Sequence, residues 1–428
     1  MKYIITTLGC KVNQYETQAM ETLLCQRGHH PVAEGEIADA VIINTCAVTA
    51  ESGRKSRQAV RHLAAAHPGA AVIVCGCWSQ ISPEEAKEIG ADVVFGSGEK
   101  HALVDAVEQA VSEKQESLCV DDPFKRMQFE ELPAGAVAGR TRAMLKIEDG
   151  CLNFCTYCVI PFSRGRVRSL PAEAAARQAR QLQEEGYREL VITGIEIASY
   201  GKDLPGEPGL ADCVEAIAAA APEMRLRLGS LEPTVITEDF ARRLAATGRV
   251  CPHFHLSLQS GCDKTLKNMN RKYDTARFYE CIEILSRYFP GCAFTADLIT
   301  GFPGETLEDQ AETLAFIRKC GFADMHIFPY SVRPGTKAEK MPGQVTKGEK
   351  ARRAHEAQAV AEEMHRAYLE GCVGKEIQVL FETCQGSTWF GHGENYCTVR
   401  TEGEELRGQL RTVRITGVSG EMLEGKLI

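Results

Sequence analysis

The chain is 428 residues long, 44% hydrophobic and 25% charged, enough core-forming sequence for about three domains. A formal net charge of −9 excludes polyanion binding over the whole surface, though not through a local basic groove. No apolar run reaches the ~20 residues of a membrane span, and MKYIITTLGC opens on a strand-like run rather than a secretory leader, so the chain is expected to be cytoplasmic with no membrane partner.

A reducing compartment constrains the 18 cysteines: disulfides are disfavoured, and metal ligation gains weight for any clustered set. Cys25, Cys213, Cys281 and Cys320 stand in apolar helical contexts and read as small buried hydrophobes.

Residues 1–115 alternate strand and helix. YIITTLGC, AVIINTC, AAVIVCGC and ADVVFGSG are near-continuous apolar runs, separated by amphipathic stretches such as YETQAMETLLCQRG and SGRKSRQAVRHLAAAHPG. The pattern predicts an N-terminal α/β domain with a parallel sheet. Cys10, Cys46 and Cys77 each follow one of these strands, at the edge where open α/β sheets bind ligands. Cys75 competes with Cys77, because period-two alternation sets both on one side; Cys77, beyond Gly76 at the strand end, is the preferred ligand.

Residues 116–140 are polar, carry Pro and Gly, and read as a linker. Between 141 and 370, TRAMLKIEDG, RELVITGIE, RLRLGSLEP, HFHLSLQSG, CAFTADLITGFPG and DMHIFPYSV predict six strands with helices between them. That is a partial or full (βα)6 barrel, with function expected at the carboxyl ends of its strands. A helical stretch then leads into residues 371–428, whose short Gly-punctuated strands predict a small β-barrel.

The loop after the first barrel strand, CLNFCTYC, holds Cys151, Cys155 and Cys158. A four-iron cluster normally takes four cysteines; with three, one iron keeps an open position, the mark of a catalytic metal. A zinc knuckle needs a fourth ligand, and neither His nor Cys follows until Cys213. Cys10, Cys46 and Cys77 make a second incomplete tetrahedron. Phe154 and Tyr157, each directly preceding a cysteine, are expected to limit solvent access.

The spacing C-x-x-x-C-x-aromatic-C at the end of a first barrel strand resembles the radical S-adenosylmethionine (SAM) superfamily, and the likeness extends over nearly the whole chain. LGCKVNQYE, NTCAVT and GCWSQ are similar to the N-terminal cysteine motifs of its methylthiotransferases, and CTYCVIPFSRGRVRS to their radical motif. TGIEIASYG, SLQSGCDKTLKNMNRKY and DLITGFPGET resemble later barrel motifs, and GHGENYCTVR the small RNA-binding TRAM barrel. The form TLGCKVNQYE with TGIEIASYG is similar to the branch acting on N6-threonylcarbamoyladenosine in tRNA, expected at position 37. Branches acting on isopentenyladenosine in tRNA, or on a ribosomal-protein aspartate, are the alternatives. A non-catalytic RNA-binding module with structural zinc sites is the reading from another class.

The resemblance implies two [4Fe–4S] clusters, the radical SAM cluster on Cys151, Cys155 and Cys158 and an auxiliary cluster on Cys10, Cys46 and Cys77. It implies SAM as cofactor, with tRNA and an electron donor as partners. A SAM-derived 5′-deoxyadenosyl radical would take hydrogen from adenine C2, the auxiliary cluster would present sulfur, and a second SAM would give the methyl group. Gly194 corresponds to the family's glycine-rich strand-two motif; Glu196, Ser230, Gln259 and Asp297, near other strand ends, are further candidates for SAM contact, with helix capping as their ordinary alternative.

The tail is not basic on average, although Trp389, Phe390 and Tyr396 could stack bases. The basic stretch from Arg333 to Arg353, including Arg352 and Arg353, is expected to line a phosphate track together with Arg164, Arg166 and Arg168.

Overall fold

The apolar runs of the first 119 residues pair as one six-stranded parallel sheet in a computed structural model that describes residues 1–114, 116–134 and 141–428. Its strands are β1 (Lys2–Thr7), β2 (His30–Pro31), β3 (Ala40–Thr45), β4 (Ala71–Gly76), β5 (Val93–Phe95) and β6 (Ser117–Cys119), in the order β2-β1-β3-β4-β5-β6. Every residue of β3 is buried, as expected of a central parallel strand covered on both faces. One face packs under helix α1 (Lys11–Gln26) and the helix Lys100–Glu113, through Tyr15, Met20, Leu24, Leu103 and Val107. The other packs under helix α2 (Ala50–Ala66) and Trp78.

β6 is a difference from the sequence expectation. It falls inside the stretch read as linker, yet pairs with β5 from Val93↔Ser117 to Phe95↔Cys119. Beyond it Arg126 donates to Asp121 (2.7 Å), Ser97 (2.8 Å) and Gln80 (2.8 Å), so this part of the connector is fastened to the sheet. Residue 115 and the linker's 135–140 lie outside the described residues.

The six expected barrel strands form, with one short addition. They are β7 (Ala143–Asp149), the added antiparallel β8 (Arg168–Ser169), β9 (Glu189–Gly194), β10 (Arg225–Leu228), β11 (His253–Gln259), β12 (Ala293–Thr300) and β13 (Asp324–Pro329). β7, β9 and β10 pair in parallel, as do β11, β12 and β13, and the bridges Leu226↔Val250 and Leu231↔Leu256 join the two groups. Among the described residues no pairing closes β13 onto β7, so the barrel is an open arc. Alternate residues face outward into the main core, among them Leu145, Ile192, Leu226, Leu256 and Leu298 against Leu182, Ile217, Leu285 and Ile317. The inward positions are polar: Lys146, Glu148, Arg227, His255 and Asp297.

The last five strands, β14 (Glu376–Gln385), β15 (Thr388–Gly393), β16 (Thr398–Glu402), β17 (Leu410–Ser419) and β18 (Met422–Leu427), form the expected small closed barrel. Trp389 belongs to its core with Phe381, Val399 and Ile415. Two guanidiniums clamp it to the arc. Arg225 donates to the Gln378 and His392 carbonyls (2.7 and 2.8 Å), Arg227 to those of Glu394 and Gly393 (2.9 and 3.0 Å). Glu189 accepts from both arginines at 2.7 and 2.8 Å. Burial alone would raise that carboxyl; the two arginines override it and hold it at about 2.

Candidate functional site

The loop carrying Cys151, Cys155 and Cys158 is fixed from two sides. The Cys151 N–H donates to the Gly165 carbonyl (3.0 Å) and that of Thr156 to the Met269 carbonyl (3.1 Å), while Asn270 Nδ2 donates to the carbonyls of Asn153 and Phe154 (both 3.1 Å). Arg271 Nη1 donates to Cys155 Sγ at 3.2 Å and the Ile160 N–H to Cys158 Sγ at 3.4 Å. The Tyr157 ring packs edge-on to Phe302 and walls one side. Phe154 does not shield in the same way: it is exposed and packs with Phe124 and Phe162 on the surface.

The second trio is assembled from three strands. Cys10 follows β1 and opens α1, Cys46 follows β3 and Cys77 follows β4; these strands are neighbours in the sheet. The expected alternation fails at Gly76, whose φ of +100° turns the chain between the two competing cysteines. Cys75 is left in the core with Tyr15 and Leu103, whereas Cys77 lies on the other face beside Trp78. Asn13 ties the strand ends together, donating to the carbonyls of Leu8 (2.8 Å) and Thr45 (2.9 Å).

Arg164 joins the two centres. Six residues after Cys158, it donates Nε to Cys77 Sγ at 3.2 Å, Nη2 to Asn13 at 2.9 Å and Nη1 to Glu16 at 2.5 Å, and is fully buried. Around it Lys146 contacts Glu16 (3.0 Å) and Asp149 (3.2 Å), Lys100 lies 3.9 Å from Glu16 and Arg168 3.4 Å from Asp149. These four buried cations, Lys100, Lys146, Arg164 and Arg168, face two carboxylates, a surplus of two positive charges beside Cys77. A buried cationic surplus suits thiolates that have lost their protons to a metal. Without metal, burial pushes the Cys158 thiol up to about 12.

The spacing of the sulfurs bears on which metal. A single zinc at about 2.3 Å from each sulfur draws its ligands to roughly 3.8 Å apart. Two trios among the described residues bring their ligand atoms within 4.8 Å of one another, His255–Asp297–His326 and Cys262–Asp309–Glu312, and neither cysteine trio is one of them. Thiolates are the ordinary ligands of a four-iron cluster, and three at each centre leave one iron open.

The expected SAM contacts fall in different places. A Cβ at Gly194 would lie 2.8 Å from Glu148 Oε2, so glycine there makes room for a buried carboxyl. Burial pushes that carboxyl well above the usual range; its Oε2 accepts from the Glu196 N–H (2.6 Å) and its Oε1 has no partner among the described residues. Glu196 is pushed up to about 7 by burial and then by Glu232, and Asn153 Nδ2 bridges the two carboxylates at 3.3 and 3.1 Å. Such a pair beside Cys151 and Cys155 is suited to an ammonium group. Ser230 pairs with Ser257 (2.8 Å), and Gln259 ends β11 with φ +65°. Asp297 stands three residues inside β12 rather than at its end, paired with His255 (3.3 Å) and His326 (3.1 Å). Glu232, Asn153, Arg271 and Glu16 escaped the sequence reading. Glu16 had a signal, a charged residue within the apolar stripe Val12, Tyr15, Ala19, Leu23.

The expected phosphate track needs correction. Arg164 and Arg168 are buried in the network above, and Arg353 is buried against Glu305 (2.6 Å) and Glu349 (2.8 Å), so none of the three presents a guanidinium to an external phosphate. Lys350 is likewise folded inward, donating to the Tyr330 carbonyl at 3.2 Å. Arg166 is exposed, and Arg352 is exposed but paired with Glu349 and Glu356. A basic stripe that the sequence reading missed lies on α2, where Arg54, Arg57, Arg61 and His62 line a shallow groove of about 480 Å³. Its signal was arginine at helical spacing.

Residues 145–317 match the family model of the Radical SAM superfamily, and residues 2–96 that of the "Uncharacterized protein family UPF0004". The arc with its first cysteine loop is thus a radical SAM enzyme, built on [4Fe–4S] chemistry and SAM. In fold it is similar to the radical SAM methyltransferase TsrM from Kitasatospora setae, at TM-score 0.57 and 14% identity over 90% of this chain and 79% of that one. In sequence it is 35% identical over 429 residues to a threonylcarbamoyladenosine tRNA methylthiotransferase MtaB of Bacillus subtilis (strain 168), covering 99% of this chain and 95% of the relative. The MtaB of Thermotoga maritima is 35% identical over 439 residues, covering 99% and 98%. A tRNA-2-methylthio-N(6)-dimethylallyladenosine synthase of Pelotomaculum thermopropionicum is 32% identical over 442 residues, covering 100% and 97%. The chain belongs to the radical SAM methylthiotransferase family, in its MtaB branch.

Proposed function

We propose that this protein adds a methylthio group to C2 of N6-threonylcarbamoyladenosine at position 37 of tRNA. The observation that carries the reading is Arg164: one buried guanidinium reaches from the segment behind Cys158 to Cys77, so the two cysteine centres belong to one piece of machinery. SAM bound at the barrel cluster would supply the carbon-radical chemistry that an inert C2–H bond requires, the second cluster would supply sulfur, and a second SAM would supply the methyl group.

The chain's own residues do the rest. Cys151, Cys155 and Cys158 hold one cluster and Cys10, Cys46 and Cys77 the other. Glu196 and Glu232, bridged by the Asn153 amide, would take the SAM amino group, with Gly194 leaving space beside them. Arg271 and Arg164 each stabilise a thiolate. The C-terminal barrel, a TRAM-like module, and the α2 stripe with Arg166 hold the RNA. A one-electron donor of the cytoplasm supplies the reducing equivalent; no helix among the described residues is long and apolar enough to cross a membrane.

The test is mass analysis of tRNA nucleosides from cells with and without the gene, paired with anaerobic assays of purified enzyme. The methylthio form of threonylcarbamoyladenosine should disappear with the gene, and tRNA lacking the threonylcarbamoyl group should give no product. Loss of the methylthio form of isopentenyladenosine instead would assign the enzyme to its sister branch.

A further inference from the structure

Where the N-terminal domain, the arc and the C-terminal barrel meet there is a cavity of about 830 Å³, lined by Lys11, Gln14, Arg142, Arg227, Tyr396 and Arg407 among others. Most of the charge on its wall is already matched. Arg142 donates to Glu382 at 2.9 Å, and Arg227 to Glu189 at 2.8 Å. Lys11 is different: no carboxylate pairs with it among the described residues. Its Nζ lies 5.7 Å from the centre of the Tyr396 ring.

Tyr396 is itself held in an unusual state. Its φ is +69°, a left-handed conformation that costs a non-glycine residue energy and persists only where its surroundings enforce it. The ring lies 4.8 Å from His253, 5.2 Å from His392 and 4.9 Å from the Arg227 guanidinium. This packing fixes a flat aromatic wall beside the lysine. Lys11 also directly follows Cys10, so an ammonium is delivered one residue from a ligand of the sulfur-bearing cluster.

An ammonium with no carboxylate partner among the described residues, set in a walled cavity, calls for an anion from outside. Threonylcarbamoyl carries a carboxylate, whereas an isopentenyl group is neutral and apolar. On adenine, C2 and the carbon bearing N6 both flank N1, so the N6 substituent and the reacting carbon share one edge of the base. A group that grips the first therefore positions the second.

We propose that Lys11 determines substrate specificity: its ammonium binds the carboxylate of the threonylcarbamoyl group and thereby holds adenine C2 beside the cluster on Cys10. The assignment rests on the reading that threonylcarbamoyladenosine in tRNA is the substrate. The same cation could meet a backbone phosphate, which would make Lys11 a general RNA contact.

The experiment measures binding of three anticodon stem-loop RNAs to anaerobically reconstituted full-length protein. The RNAs carry adenosine, threonylcarbamoyladenosine, or its analogue with the carboxylate converted to an amide. Wild-type protein should prefer the acid over both others by roughly tenfold or more. Lys11→Gln should bind the acid about tenfold more weakly with adenosine RNA unchanged, Lys11→Arg should keep the preference, and iron and sulfide content should stay the same. Equal weakening of all three RNAs would make Lys11 a phosphate contact and overturn the proposal, as would a Lys11→Gln protein that still prefers the acid. The amide arm needs no variant: wild-type protein binding amide and acid equally overturns the proposal even if Lys11→Gln takes up no iron. Failure of wild-type protein to distinguish threonylcarbamoyladenosine from adenosine would instead sink the substrate reading on which it rests.

Discussion

The two cysteine trios offer the same three sulfurs and reach them by opposite routes. Cys151, Cys155 and Cys158 come from one eight-residue loop pinned by hydrogen bonds from within the barrel, whereas Cys10, Cys46 and Cys77 come from three strands spread over 68 positions. The loop centre draws its sulfurs from one segment and its supports, Gly165, Met269, Asn270 and Arg271, from the same barrel. The strand centre exists only once the sheet has formed and the barrel has docked, because its third sulfur takes a hydrogen bond from Arg164 on the other domain. Disturbances of the contact between the two domains should therefore damage the strand centre more than the loop centre.

The largest effect is expected from ligand removal. Cys77→Ala should abolish methylthiolation and lower iron per chain by about half, leaving a cluster that still responds to SAM. Cys75→Ala should keep both clusters; iron analysis and electron paramagnetic resonance with and without SAM would show the reverse assignment if it held.

Next is Arg164→Ala. It removes the donor to Cys77 and one of the four buried cations, leaving Glu16 to Lys146 and Lys100 and Asp149 to Lys146 and Arg168, and should destabilise the chain and empty the strand centre before the loop centre. Thermal melts combined with cluster spectra check the order; equal loss from both centres would break the contrast. The counterpart at the loop, Arg271→Lys, should mainly move the radical cluster's reduction potential downward, on the order of tens of mV, because Cys155 loses a directed donor. A redox titration with no shift would remove Arg271 from that role.

A smaller, pH-dependent effect is expected beside the loop. Glu196 is raised by burial and by Glu232 from an ordinary 4.5 to about 7. A carboxyl raised in this way costs the folded chain stability as pH climbs from 4.5 through 7, and a bound cation offsets that cost. SAM affinity should thus rise by up to about tenfold between pH 6 and pH 8, and Glu196→Gln should flatten the profile. Calorimetric titration across that window decides it; a flat wild-type profile would free Glu196 from the role.

The smallest effect concerns the surface. Arg352→Gln breaks only exposed, solvent-screened pairs and should leave stability unchanged, while Arg61→Gln on α2 should lower the salt slope of tRNA binding by about one unit. An unchanged slope would leave α2 out of the RNA path.

The same division explains what the sequence revealed. The loop trio shows in its spacing, and the strands carrying the other trio show as apolar runs. Alternation set Cys75 and Cys77 on one side, but it presumes an unbroken strand; Gly76 breaks it at φ +100° and turns the preferred Cys77 to the other face. The arginines were misjudged for a different reason. In SRGRVRS three arginines look alike, yet Arg164 and Arg168 meet carboxylates inside and Arg166 does not. Whether a basic residue faces water depends on partners such as Glu16, some 150 residues away, and no local pattern records that. The six barrel strands were legible for the converse reason, since each carries its own apolar residues at strand spacing.

The buried knot around Glu16 also limits how these proteins can be recombined. A chimera that took its first 114 residues from one relative and its barrel from another would inherit Glu16 and Lys100 from one parent, and Lys146, Asp149, Arg164 and Arg168 from the other. Unless the parents agree at all six positions, the graft would seal unmatched charge beneath a cluster ligand. The two halves are separate in sequence but have to be exchanged as a matched set.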